Sequence, residues 1–585
     1  MRAHDTRTFA TFDGVELSYR HWPAQDAPAG RAVVLLHRGH EHSGRVAHLV
    51  HELNLPDCAF FAWDARGHGA SPGARGDAPG FDALVRDLDR FIAHIADAHG
   101  IAVERIAVVA QSVGAVIATT WVHDYAPRLR ALVVASPAFD VKLYVPFARA
   151  GLAWMQMLRG NVFVTSYVKS KWLTHDPERM ASFDSDPLIT RAISVRVLLG
   201  LYEAAERVVG DAQAITVPTL LLVSGRDFVV RRKPQDLFFE RLGATYKQRR
   251  LLPGFFHDTL GERDRGAAVG CVRGFINECF ERPLQIPSRL QAHEHGASFD
   301  ESQTLAWPHP RVSFAGLRWA LTRAGLRVGG LLSSGIRTGL VTGFDSGSSL
   351  DYVYRDTATA TGGGPLGRMV DRNYLDAIGW RGIRVRRTHL HELLRDAATR
   401  LRAAGQPVHV LDIAAGHGRY VLEALAEGDV RADRIALRDF SGVNVEKGRD
   451  LIAQRGMGHL ARFDQGDAFD TAALAAIDPP PTLAIVSGLY ELFSDNAQVW
   501  ASLEGLRAAV PLGGYLVYTN QPWHPQLEFI ARALTSHRGG QAWVMRRRSQ
   551  QEMDELVREA GFRKIEQRID RWGIFTVSLA QRVDA

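Results

Sequence analysis

Short apolar runs alternate with longer stretches of helical period twice along this 585-residue chain, and a polar connector separates the two series. In the first series, apolar runs at 31–36, 58–63, 106–110, 129–135, 218–224 and 247–252 predict strands, with helical patterns such as 81–99 and 113–125 between them. The alternation stops between 139 and 211, where a mostly helical insertion fits better. Its stretch 145–158 is apolar and aromatic, with Phe147, Trp154 and Met155. At helical spacing it reads either as a guide for acyl chains or as a plain core stripe. From 283 to 310 the chain turns polar and periodicity fades, which predicts a linker. Residues 311–402 start and end helical around a Gly/Ser/Thr-rich middle. The second series has strands at 408–413, 434–439, 459–463, 483–486 and 515–519, and late runs at 562–567 and 574–579 fit a terminal antiparallel pair. Both series predict α/β domains with mostly parallel sheets.

The length exceeds one ordinary core. Hydrophobic residues at 46% and charged residues at 23% are the balance of a folded chain. The net charge of +6 is mild and the arginines are mixed with acids, so a solvated surface is expected and no nucleic-acid partner. Three cysteines, Cys58, Cys271 and Cys279, are too few and too scattered for a disulfide framework or a zinc site, and no metal is expected. Residues 1–14 lack the apolar stretch of a secretory signal, and no run of about 20 apolar residues predicts a membrane span. A cytoplasmic protein is expected, with peripheral membrane contact left open.

Ser112 sits in Ala110-Gln111-Ser112-Val113-Gly114, between a predicted strand and a predicted helix. A turn this sharp exposes the serine oxygen and needs small residues two before and two after it. Asp227 and His257 each follow a later strand, so the chain order is Ser, Asp, His, with each residue just beyond a strand. In that chemistry His257 takes the Ser112 proton and Asp227 orients the imidazole. The segments His37-Arg38-Gly39-His40-Glu41-His42-Ser43-Gly44-Arg45, Asp64-Ala65-Arg66-Gly67-His68-Gly69 and Asp186-Pro187-Leu188 resemble those of monoacylglycerol lipases and related lysophospholipases, over about Thr11 to Pro283. The resemblance implies an α/β-hydrolase fold with a helical cap over 139–211, acting on carboxylic esters of lipid-like alcohols. It also implies an oxyanion hole made by the backbone N–H groups of Gly39 and Val113. Arg38 stands where that family has glycine; if the position needs positive φ, an arginine there strains the hole. A catalytically silent hydrolase domain serving as a binding module is the alternative this departure raises.

In the second series a strand runs into Asp412-Ile413-Ala414-Ala415-Gly416-His417-Gly418, and a helix follows. Small residues let the backbone pass close to a ligand at such a turn. Val421 stands where a dinucleotide fingerprint needs glycine or alanine. The series resembles class I S-adenosylmethionine (SAM) dependent methyltransferases with a Rossmann-like fold, over about His389 to Ala580. The resemblance implies SAM binding through Asp412, Ala414, Gly416 and Gly418, through Asp439 on the ribose, and through Asp467 and Ala468 at the adenine. Tyr490, Glu491 and His524 are candidates for the acceptor side, with Glu491 or His524 accepting a proton. The methyl acceptor stays unassigned. The expected organisation is thus a hydrolase domain at 1–282, a linker at 283–310, an extension at 311–402 and a methyltransferase domain at 403–585.

Overall fold

The computed structural model describes residues 2–26, 30–145, 147–310, 312–361, 364–425 and 430–584. The chain divides into two compact units, Met1–Pro287 and Ser288–Ala585.

The first unit is built on one sheet whose strands, in chain order, are β1 (Asp5–Ala10), β2 (Glu16–Trp22), β3 (Arg31–Leu36), β4 (Cys58–Trp63), β5 (Ile106–Gln111), β6 (Ala131–Ala135), β7 (Thr219–Ser224) and β8 (Lys247–Leu252). Their spatial order is β1-β2-β4-β3-β5-β6-β7-β8. β1 pairs antiparallel with β2, and β2 with β4; the rest of the sheet is parallel. The central strands β4 to β7 are buried along their whole length, as continuous apolar runs of a sheet covered on both faces require. Helix α1 (Val113–Tyr125) follows β5, and the insertion between β6 and β7 is mostly helical with one short antiparallel pair, Phe163–Thr165 with Ala192–Ser194.

The second unit has seven strands: β9 (His409–Asp412), β10 (Arg434–Asp439), β11 (Ala461–Gln465), β12 (Leu483–Val486), β13 (Tyr515–Asn520), β14 (Phe562–Ile569) and β15 (Thr576–Arg582). The order is β11-β10-β9-β12-β13-β15-β14. The first five are parallel, and β15 pairs antiparallel with both β13 and β14. The strand order reverses between β9 and β12, the place where open α/β sheets bind ligands. Among the helices of this unit are α2 (Gly347–Arg355), the 26-residue α3 (Ile378–Ala403) and α4 (Arg419–Leu425).

The expected linker is corrected. From Ser288 onward the chain belongs to the second unit. There the Ser288 hydroxyl and the Arg289 N–H donate to Glu555 over 3.0 and 2.7 Å, and a helix runs over Ala297–Ala306. Arg532 caps that helix by donating to the carbonyl of Leu305, 2.8 Å away. The polar composition that reads as a linker is matched by specific partners far away in sequence. No helix among the described residues is long and apolar enough to cross a membrane.

Candidate active sites

β5 ends at Gln111 and α1 begins at Val113, which leaves Ser112 in the turn at φ 55° and ψ −115°. A positive φ strains any residue with a Cβ, and the turn closes only because its neighbours are small. A Cβ at Gly114 would come within 2.5 Å of the His37 carbonyl oxygen. The strained turn presents the Ser112 hydroxyl to loops that follow β7 and β8. Ser112 Oγ lies 2.8 Å from His257 Nε2, and His257 Nδ1 lies 2.8 Å from Asp227 Oδ2. The carboxylate only accepts, so Nδ1 carries the proton and Nε2 is left to accept from serine. Asp227 Oδ1 accepts from the N–H groups of Val229 and Val230 at 2.7 and 2.9 Å. Burial opposes ionisation of Asp227, but the imidazole and these two N–H groups outweigh it and hold the carboxyl below its ordinary range.

Gly39 lies against the start of α1: a Cβ there would come 2.9 Å from Val113 Cγ2. The backbones of both expected oxyanion residues are therefore neighbours beside Ser112. The strain expected at Arg38 does not arise. The left-handed conformation falls on His40, at φ 71°, and not on Arg38. The Arg38 side chain is buried, donates to Glu41 at 2.6 and 3.1 Å, and lies 3.4 Å from Asp258. Asp258 follows His257 in sequence and also accepts from Arg179 and from Gln111, the latter at 2.8 Å. Sequence reasoning missed this cluster, because Gln111, Arg179 and Asp258 carry no local signal of it.

The cap is tied to the oxyanion loop through His42, whose Nε2 donates to Asp186 at 2.9 Å while its Nδ1 accepts from Gly44 N–H at 3.2 Å. The cap helix Ala148–Arg159 has no buried residue, and Trp154, Met157 and Leu158 are exposed. That excludes the core-stripe alternative for this helix.

In the second unit, β9 ends at Asp412 and the chain turns through Gly416 (φ 59°) and Gly418 (φ 72°) into α4. The positive φ of Gly418 favours glycine there, and a Cβ would come 2.3 Å from Leu437 Cδ1, so a larger residue would also displace that side chain. Ala414 N–H donates to Asp412 Oδ1 at 3.1 Å, and Gly416 N–H donates to Asp439 Oδ2 at 2.9 Å. Asp439 Oδ1 accepts from Ser441 N–H and from the Asn444 amide at 2.9 and 3.0 Å. Asp412 is fully buried, and burial pushes its carboxyl up to about 7 although the Tyr420 hydroxyl and Ala414 N–H both donate to it. At the end of β11, Asp467 is exposed and accepts from Phe469 N–H at 2.9 Å, whereas Ala468 is buried. Helix α2 lies against the loop: a Cβ at Gly416 would be 3.8 Å from Gly347 Cα, and Asp351 accepts from Arg419 at 2.5 Å.

The three acceptor-side candidates separate. Tyr490 is corrected: it is buried in the core with its hydroxyl 3.0 Å from Ser502 Oγ, and burial pushes that hydroxyl well up. Glu491 and His524 instead line a cavity of about 110 Å³ together with Arg386. Arg386 lies in a basic run of the sequence but is buried, 3.7 Å from Glu491.

The first sheet, with serine, aspartate and histidine at its strand ends, is an α/β-hydrolase fold; the second is a Rossmann-like methyltransferase fold. A family profile described as "Putative methyltransferase" matches residues 272–582, and one described as "Serine aminopeptidase, S33" matches residues 27–264. An Escherichia coli (strain K12) protein, "Uncharacterized protein YnbC", is 54% identical over 576 residues, which is 98% of each chain. The monoacylglycerol lipase of Mycolicibacterium smegmatis is 25% identical over 279 residues, 46% of this chain and 95% of the lipase. Human monoglyceride lipase is 27% identical over 250 residues, 42% of this chain and 80% of that one. The crystal structure of Paleococcus ferrophilus monoacylglycerol lipase, at 23% identity and TM-score 0.41, covers 45% of this chain and 99% of its own. The chain belongs to the methyltransferase family of the first profile and carries an N-terminal α/β-hydrolase domain related to monoglyceride lipases.

Proposed function

We propose that the chain is bifunctional: its first unit is a serine carboxylic-ester hydrolase for lipid-like esters of acylglycerol or lysophospholipid type, and its second unit a SAM-dependent methyltransferase. The observation that carries the first half is the line from Ser112 through His257 to Asp227, with both contacts at 2.8 Å. His257 Nε2 takes the Ser112 proton as Oγ attacks the ester carbonyl, and Asp227 stabilises the imidazolium that forms. The N–H groups of Gly39 and Val113 receive the developing oxyanion. Histidine then returns the proton to the leaving alcohol, and water releases the acyl group by the same route. The exposed apolar side chains of the cap helix suit contact with aggregated lipid.

The residues of the second unit fit SAM. Asp412 is a buried carboxyl starved of positive charge, which an ammonium group would satisfy. The loop of Ala414, Gly416 and Gly418 brings backbone close to a ligand, Asp439 suits a pair of vicinal hydroxyls, and Asp467 with Ala468 stands where the adenine is expected. When bound, SAM supplies an electrophilic methyl group. The alternative, a silent hydrolase domain used for binding, loses its motive because Arg38 does not occupy a strained conformation.

A serine-directed fluorophosphonate tests the first half: it should label the protein and spare Ser112→Ala. A folded protein that resists labelling and does not hydrolyse p-nitrophenyl esters would leave the methyltransferase half alone standing. Calorimetric titration with SAM tests the second half.

A further inference from the structure

The cavity in the second unit opens beyond the carboxyl ends of β12 and β13, where Gly488 and Gln521 form part of its wall. The remaining wall is mainly apolar, with Trp380, Ile383, Phe529, Trp543 and Phe575. A cavity of about 150 Å³ with apolar walls accepts a benzene ring, so this one has the scale of a ring or a short alkyl segment. It adjoins the nucleotide loop: Leu350 of α2 lines it, and Gly347 of the same helix lies against Gly416.

Its polar lining comprises Arg386, Glu491 and His524 together with Asp345, Gln521 and Gln526, and Arg386 lies 3.7 Å from Glu491. The Arg386 guanidinium lies 5.0 Å from the Phe575 ring centroid, and its buried Nε has no hydrogen-bond partner. Glu491 Oε1 accepts from the Thr519 hydroxyl at 3.1 Å, while the buried Oε2 has no hydrogen-bond partner. His524 Nδ1 accepts from Gln526 N–H at 3.0 Å, so a neutral ring holds its proton on Nε2 and donates from there. Burial pushes the imidazole down to about 4 and keeps it neutral. Of the two proton acceptors expected from sequence, only Glu491 has a free oxygen.

We infer that this cavity is the acceptor site of the methyltransferase unit and takes a neutral, apolar molecule bearing a hydroxyl group, which would be methylated on oxygen. The inference rests on the SAM reading above. A hydroxyl both accepts from Arg386 and donates to Glu491. An ammonium head would stand against the guanidinium, and a carboxylate head against Glu491. The acceptor oxygen forms the new bond to the methyl carbon with a lone pair as the methyl–sulfur bond breaks, the bonding pair staying on sulfur and the hydroxyl proton passing to Glu491 Oε2.

The test is calorimetric titration of the full chain with phenol and, separately, with its methyl ether, anisole. The phenol should bind at least about tenfold more tightly than the ether, because the ether leaves Glu491 without a donor. Glu491→Gln should narrow that ratio towards one, and Ile383→Trp, which fills the cavity, should abolish binding of both while circular dichroism reports an intact fold. Equal binding of phenol and ether, no binding of either, or indifference to Ile383→Trp overturns the inference. SAM titrated into the same protein separates the two claims. SAM binding without phenol binding removes the acceptor assignment alone. Phenol binding without SAM binding removes the methyltransferase reading, and the acceptor role with it.

Discussion

The side-chain amide of Gln111 donates to the Asp258 carboxylate across 2.8 Å, so the residue before Ser112 and the residue after His257 hold each other. Gln111 Oε1 also accepts from Leu260 N–H at 3.0 Å, which completes a clamp between the end of β5 and the loop after β8. Asp258 is fully buried; burial opposes its ionisation, but Arg179 and Arg38 outweigh that and hold it well below the ordinary carboxylate range. The spacing of nucleophile and base therefore depends on charges that touch neither residue.

Arg38→Met keeps the volume of the arginine stem but leaves Glu41 short of its closest cation. Breaking a buried pair from one side costs about 3–5 kcal/mol. The expected outcome is a loss of that size in denaturant titration, with a lower esterase kcat. A stability equal to that of the parent protein would mean that Arg45 and Arg179 neutralise the cluster by themselves.

Asp227→Asn keeps the shape of the relay but removes the charge that orients His257. A fall in kcat of about 10⁴-fold on p-nitrophenyl butyrate is expected, with KM little altered. Ser112→Ala should abolish turnover and fluorophosphonate labelling together.

Gly39→Ala places a methyl group 2.9 Å from Val113 Cγ2, so the Val113 side chain or one of the two backbones must shift. Because both supply the proposed oxyanion donors, kcat should fall by roughly 10²-fold. Short-chain ester kinetics read this directly; an unchanged kcat would place the oxyanion elsewhere.

SAM affinity should depend on pH through Asp412, whose carboxyl is pushed up to about 7 by burial. An ammonium partner favours the ionised form, so affinity is full above that value and falls as pH drops through it, approaching about tenfold per pH unit. Titrations at about pH 8 and about pH 6, in buffers of different ionisation enthalpy, should show protons released on binding at the lower pH only. Asp412→Asn should flatten the dependence and weaken binding throughout.

Trp154→Ser with Leu158→Ser removes apolar surface from the cap without opening the core, since both side chains are exposed. Turnover of emulsified long-chain monoacylglycerol should fall several-fold, while hydrolysis of soluble p-nitrophenyl acetate stays unchanged. Equal effects on both substrates would mean that the cap shapes the site itself.

The positions of the strands from β3 onward, the two-fold α/β alternation and the chain order of Ser112, Asp227 and His257 were legible from sequence alone, because an apolar run or a small-residue turn is a local pattern that burial imposes on the backbone; β1 and β2 were not read. The Gly416–Gly418 turn belongs with them, since it reports a conformation that its own residues dictate. Tertiary structure alone decided where the polar side chains go. Tyr490 and Glu491 are adjacent in one short turn, yet one hydroxyl is buried against Ser502 and the neighbouring carboxylate faces a cavity. Arg38, Arg386 and the stretch after Ser288 look like a strained site, one arginine of a basic run and a linker until the packed chain brings Glu41, Glu491 and Glu555 to them as partners. A charged group buries only where an opposite charge or a hydrogen-bond partner is brought to it, and that meeting is a property of the packed chain rather than of any segment.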